Sequence, residues 1–319
     1  LKIATYSLAI LGAWSCKPSA DKTASGSFLA GDAAEKVYVK PGTHDEFYNI
    51  VSGGFNGQLS VVGLPSGRTL KIIPVFSQFA ESGWGYSEET KPMLNTSHGF
   101  VPWDDSHHVA LSTTKSEHDG RWAFINGNNT PRIARVSLST FRTEEIIEIP
   151  NSGGNHSSPF ITANTEYAVA GTRFSVPPDN NADVPISSFK QNFKGYISFV
   201  SIDKTTGRMG IKFQLKTPGV SYDLARAGKG KSAGWFFFST YNTEQANSLL
   251  EVNASQKDKD FILAVNWKKA EEYLAQGKGK KEPAKYAHNV YSDETHTATS
   301  TIINEVMTLD PKECPDLLY

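Results

Sequence analysis

The stretch GFVPWDDSHHVALS, Gly99 to Ser112, sets two aspartates, a serine and two adjacent histidines against an apolar run, in a chain with 8 histidines among 319 residues. Neutral imidazole is a good ligand for transition metals. A carboxylate beside it can accept the second ring N–H and so fix the tautomer and the ring orientation. Asp105, two residues before His107, is placed for that role. Neighbouring residues on a strand point to opposite faces, so His107 and His108 can reach one metal only where the backbone bends at a strand end. The irregular stretch Trp103 to Ser106 supplies such a bend. The competing reading is a polar strand end carrying two solvated imidazoles.

His156 stands in IPNSGGNHSSPFI, on a Gly-rich turn that lets backbone approach a centre closely, and a third imidazole is what a multi-histidine centre needs. Alone it reads more readily as a surface-loop histidine than as a ligand. His118 in SEHDG reads as a hairpin tip and His44 in GTHDE as a solvated turn. The segment STYNTE, Ser239 to Glu244, followed by Asp258 and Asp260, offers oxygen ligands suited to calcium, or simply ordinary surface carboxylates. Gly228 to Ser232, GKGKS, lacks the first glycine of a phosphate loop, and there is no GxSxG elbow or carboxylate pair marked as a hydrolase site.

These residues need short strands and tight turns to position them, and the rest of the chain supplies both. There are 18 Phe, 12 Tyr and 6 Trp, many beside Gly, Asn, Ser and Thr. Apolar and β-branched runs alternate with GG, NG, HDG, NGNN and KTTG turns. The pattern predicts an all-β fold, and hairpins spaced by about 40 to 60 residues favour a β-propeller over a sandwich. One short helix is expected near 265–276, within VNWKKAEEYLAQGKG, with Trp267, Ala270, Tyr273 and Leu274 on one face and Gly277 as a stop. Residues 1–16 have the grammar of an export signal ending at Cys16, which as a lipid-attachment cysteine would anchor the chain to a membrane. Residues 17–33 read as a flexible linker and 34–319 as the folded region. The two cysteines give no disulfide framework, and a net charge of −1 gives no basis for binding nucleic acid.

Taken together, DEFYNIVSGGFNGQLSVVGLPSGRTLKIIPVF, SGWGYSEET, DDSHHVALS, FINGNNTPRIARVSL, EIPNSGGNHSSPF and STYNTE resemble nitrous oxide reductase, in the branch carrying a general-secretion signal. The resemblance runs from about Val37 to the end. It implies a seven-bladed propeller holding a four-copper, sulfide-bridged centre, and a C-terminal cupredoxin-like domain holding a dinuclear copper site. By that resemblance His107, His108 and His156 are copper ligands, and Asp105 and Asp223 are the carboxylates that orient ligating rings. Tyr241, Glu244 and Asp260, with Asp258 as the alternate, match calcium ligands. The chain would then be the first half of such an enzyme, about four to five blades, without the remaining ligands, and inactive alone. A periplasmic homodimer receiving electrons from a cytochrome c or a cupredoxin is further implied. The alternative is a non-enzymatic exported propeller lipoprotein binding a partner or glycan.

Overall fold

The computed structural model describes residues 30–156, 160–173, 183–185, 194–218, 221–242, 262–291 and 295–319. After a short helix, α1 (Ala30–Lys36), which begins inside the stretch read as linker, the chain is built from strands. β1 (Phe47–Ser52), β2 (Gln58–Leu64) and β3 (Thr69–Pro74) form an antiparallel meander. A small hairpin, β4 (Asn95–Thr96) and β5 (Gly99–Phe100), precedes a four-stranded meander of β6 (Ser106–Thr114), β7 (Glu117–Gly127), β8 (Arg132–Ser137) and β9 (Arg142–Glu148). The third sheet contains β10 (Phe160–Ile161), β11 (Tyr167–Gly171), β12 (Asp183–Pro185), β13 (Gly195–Ile202) and β14 (Met209–Thr217). The fourth is the meander β15 (Ser221–Ala227), β16 (Trp235–Asn242) and β17 (Ile262–Asn266). The hairpin β18 (Lys280–Tyr291) and β19 (Thr295–Leu309) joins the third sheet through parallel pairing of Gln214 with Thr308 and Leu215 with Leu309.

The first strands of the four sheets lie beside one another in chain order: β1 meets β6, β6 meets β10, and β10 meets β15. Successive antiparallel sheets that share an inner edge in this way make an all-β, propeller-like arc. Hydrophobic layers lie between the sheets. Leu59, Val61, Ile73 and Phe76 of the first pack against Ala123, Ile125, Ala134 and Val136 of the second. The opposite face of the second, with Trp122, Phe124 and Ile133, packs against Ile161, Ala168, Val200 and Ile202 of the third. Phe199 and Phe213 of the third meet Phe236, Phe238, Leu263 and Val265 of the fourth. Period-2 alternation thus sends consecutive residues of β7 into two different layers, which is why AFI reads as one continuous apolar run.

The predicted helix is α2 (Trp267–Ala275). The Asn266 side chain caps it by accepting the Lys269 N–H at 3.0 Å, and Gly277 ends it at φ 74°. Trp267 and Ala270 are buried, with Tyr273 and Leu274 packed at the same layer. Burial of one such aromatic contributes roughly 1.5–3 kcal/mol, against a few tenths for the exposed Lys268–Glu271 pair, so the apolar face anchors the helix.

One turn differs from its expected position. The β6–β7 hairpin tip is Lys115–Ser116, both at positive φ (53° and 67°), and past His118, which pairs with Thr113, Asp119 to Trp122 form a bulge facing Ser112 alone. The Asp119 carboxylate draws the chain there: it accepts from the Ser112 and Thr114 hydroxyls and from the backbone and guanidinium of Arg121. Burial alone would raise its pKa, but these donors outweigh it and hold the carboxyl at about 2. A depressed carboxylate stabilises the fold fully above its unfolded pKa near 3.8, and that stability is lost as pH falls through about 2. Asp119→Asn is therefore expected to cost about 1 kcal/mol at neutral pH in urea unfolding, with Arg121 partly exposed, and progressively less as pH falls through and below about 2.

Candidate metal centre

At the start of β6 regular alternation would send His107 and His108 to opposite faces. Instead His107 pairs with Asn126 and Ala110 with Phe124, leaving His108 and Val109 opposite Ile125 alone. This bulge places His108 at φ 56°, in the left-handed region. The extra residue turns both imidazoles to one side, with ring centroids 5.6 Å apart. His156 arrives from the loop after β9, where Asn151 takes φ 59°, and its ring lies 5.1 Å from that of His107 and 4.7 Å from that of His108. Three imidazoles separated by up to 49 positions in the chain therefore form one cluster.

Each outer ring has a carboxylate behind it. Asp105 is buried, with Oδ2 3.2 Å from His107 Nδ1. That contact is close but lacks hydrogen-bond alignment, since Nδ1 has no hydrogen-bond partner among the described residues. His156 Nδ1 is hydrogen-bonded to Asp223 Oδ1. Asp223 reaches it from a second bulge: Tyr222 pairs with Thr240 and Ala225 with Phe238, so Asp223 and Leu224 face Ser239 alone. The same device, one residue too many near the start of an inner strand, thus aims His108 and Asp223 at the cluster.

Burial lowers the pKa of His107, with Asp105 opposing and the charges of His156 and Arg173 adding to it. Burial lowers that of His108 too, reinforced by His156 and His107. Both rings are neutral at physiological pH, which is the ligating form. The bond to His156 foremost holds the Asp223 carboxyl below the usual range, keeping it an acceptor for the His156 ring.

The rings fit a transition metal by composition. His108 Nε2 is buried without a hydrogen-bond partner among the described residues, and so is Asp105 Oδ1. An orphaned buried imidazole nitrogen has lost water and gained nothing in return, which a metal bond would correct. The rings now meet nearly edge to face, at 71° and 84°, and among the described residues no three His, Cys, Asp or Glu side chains stand in ligating geometry about one point. Loading would thus require ring rotation about χ angles, with the backbone already convergent.

No family model matches the sequence. A nitrous-oxide reductase of Pseudomonas fluorescens is 29% identical over 255 residues, covering 80% of this chain and 38% of that protein. One from Cupriavidus necator is 31% identical over 247 residues, covering 74% and 37%. The chain is a homologue of the nitrous-oxide reductases. It spans well under half the length of the nitrous-oxide reductases it matches. Among solved structures, a hydrazine synthase of Kuenenia stuttgartiensis has a TM-score of 0.43 at 12% identity, over 69% of this chain and 47% of that one, too distant to bear on fold or chemistry.

Of the calcium residues expected from the likeness to nitrous-oxide reductase, Tyr241 lies near the end of β16, while Glu244, Asp258 and Asp260 lie outside the described residues, as does Cys16. No helix among the described residues is long and apolar enough to cross a membrane. His44 is exposed as expected, just past a turn that closes at Thr43, and His118 lies on β7 just past the hairpin tip. The sequence reading passed over Asp104, Asn126, Asn128, Asn155 and Arg132. Asp104 and Arg132 form a fully buried pair at 3.4 Å. Burial pushes the Asp104 carboxyl up, while Arg132 and the N–H groups of Asn129, Thr130 and Asp105 oppose that. The signal for Asn126, Asn128 and Arg132 was polarity inside FINGNNTPR, which turn chemistry alone explains.

Proposed function

We propose that the chain supplies part of the ligand set of a copper centre that reduces nitrous oxide to dinitrogen and water. The observation supporting this most directly is the convergence of His107, His108 and His156 with Asp105 and Asp223 behind two of the rings. The relatives' name supports the reaction. When bound, the copper–sulfide cluster would supply the soft, electron-rich metals that N2O + 2H⁺ + 2e⁻ → N2 + H2O requires.

The protein's part is to hold and orient. Asp223 accepts from His156 Nδ1, leaving Nε2 of that ring as the donor atom, and Asp105 stands at the same nitrogen of His107. Burial keeps His107 and His108 unprotonated, so they act as ligands and not as proton donors. We place the working enzyme in the periplasm, exported by its N-terminal segment and anchored if Cys16 is lipidated. It works as a homodimer fed by a cytochrome c or cupredoxin, with calcium held by Tyr241, Glu244 and Asp260.

Anaerobic titration with copper(I) against a competing chelator tests the ligand assignment on the chain itself. Wild type should retain copper through desalting, and His107→Ala/His108→Ala/His156→Ala should retain only background. Equal retention by the two proteins would remove the assignment.

A further inference from the structure

Asn128, in the loop between β7 and β8, is 4% exposed and bonds to both histidine-bearing segments. Its backbone N–H donates to the Asp105 carbonyl at 2.8 Å, and its carbonyl accepts from Asn155 N–H at 3.2 Å, one residue before His156. Its side-chain Nδ2 donates to Asp105 Oδ2 at 3.0 Å, the oxygen that faces His107 Nδ1. Its Oδ1 accepts from Arg173 Nη1 at 2.9 Å. Arg173 in turn donates its backbone N–H to the Gly154 carbonyl at 2.8 Å, back on the His156 loop.

An amide side chain has two ends that shape alone does not distinguish. Here chemistry does, because a guanidinium only donates and a carboxylate only accepts. Arg173 therefore fixes the Asn128 oxygen at one end, and that forces the NH2 group onto Asp105 at the other. Without that donor, Asp105 is free to turn about its terminal torsion, since Oδ1 has no hydrogen-bond partner among the described residues. The aim of Oδ2 at His107 would then be lost.

We infer that Asn128 is the positioning residue that registers the His107 and His156 segments against each other, and that Arg173 sets its orientation. This rests on the reading of the two histidines as ligands, but its structural half is testable without metal. Asn128→Asp keeps shape and keeps an acceptor for Arg173, but it turns a donor toward Asp105 into a second anionic acceptor. Arg173→Gln offers Asn128 both a donor and an acceptor, so the amide is free to flip.

The measurement is the imidazole nitrogen spectrum of ¹⁵N-histidine-labelled chain, without metal, at a pH well above the imidazole range. Both variants should shift or broaden the His107 and His156 signals, while His44 and His118, outside the cluster, stay in place as internal controls. Copper(I) affinity should fall by about tenfold in each variant, the scale of a lost outer partner of a ligand. Unchanged His107 and His156 signals in both variants, with the controls also unchanged, would overturn the proposal. Shifted His107 and His156 signals in the variants, beside a wild type that binds no copper, would leave the positioning role standing and remove only the ligand reading. A general change that includes His44 and His118 would mark a global packing defect and count against the proposal.

Discussion

His107→Ala in a full-length protein should abolish assembly of the proposed copper centre rather than slow its turnover. The ring sits beside a bulge, with Asp105 at 3.2 Å and two other imidazoles within 5.6 Å, so its loss removes one of three convergent ring nitrogens. Loss of an outer partner of a ligand typically costs 10–100-fold in affinity, and loss of the ligand itself should exceed that, more than ~100-fold in copper content and nitrous oxide reduction together. Metal analysis and gas chromatography of dinitrogen on the same preparation separate the outcomes. A normally loaded centre with low activity would show that His107 is not an anchor. Asp105→Asn is the graded companion: it keeps shape and loses charge, so copper should persist while the visible spectrum or reduction potential shifts.

Asp104→Ala should be among the most destabilising single changes in the chain, about 3–5 kcal/mol in denaturant unfolding, because it strands a buried charge. Asp104 and Arg132 side chains are both fully buried, and the guanidinium lies over the Phe76 ring with its centre 4.8 Å from the centroid. The Asp104 carboxylate also accepts from Asn129 N at 2.9 Å and Thr130 N at 2.8 Å, as well as from Asp105 N at 2.8 Å. Removing it leaves the Val101 carbonyl at 3.0 Å as the one hydrogen-bond acceptor for Arg132 among the described residues and orphans three backbone donors. Adding Arg132→Met should recover a sizeable part of the loss, because an apolar isostere no longer needs a counter-charge. A cost below about 1 kcal/mol for Asp104→Ala would mean that water or another carboxylate reaches Arg132.

The sequence made the repeated hairpins, the helix at Trp267–Ala275 and the three candidate histidines legible because each has a local signature: periodicity, a cap and stop, or a rare residue type. The bulges at His108 and Asp223 have none. Histidine at φ 56° carries no compositional cue, and the displacement of Asp223 depends on Ser239 across the sheet, whose hydroxyl accepts from Leu224 N at 3.0 Å. The KS hairpin tip was hidden for a related reason. Gly120 was the better turn former, yet the Asp119 carboxylate drew its donors from both strands and moved the reversal to Lys115–Ser116. Asn128 was hidden in a run of residues that turn propensity already accounted for.

The three apolar layers between the four sheets bear on how the molecule comes apart. No sheet owns a core: β7 gives Ala123 and Ile125 to one seam and Trp122 and Phe124 to the next, like a voussoir bearing on both neighbours in a masonry arch. Pulling out the second or the third sheet would expose two raw seams at once, so an opening there is almost as expensive as a complete one. Amide exchange in β7 and β8 should therefore report the collapse of the whole arc, and a protease that finds a nick there should leave no surviving half.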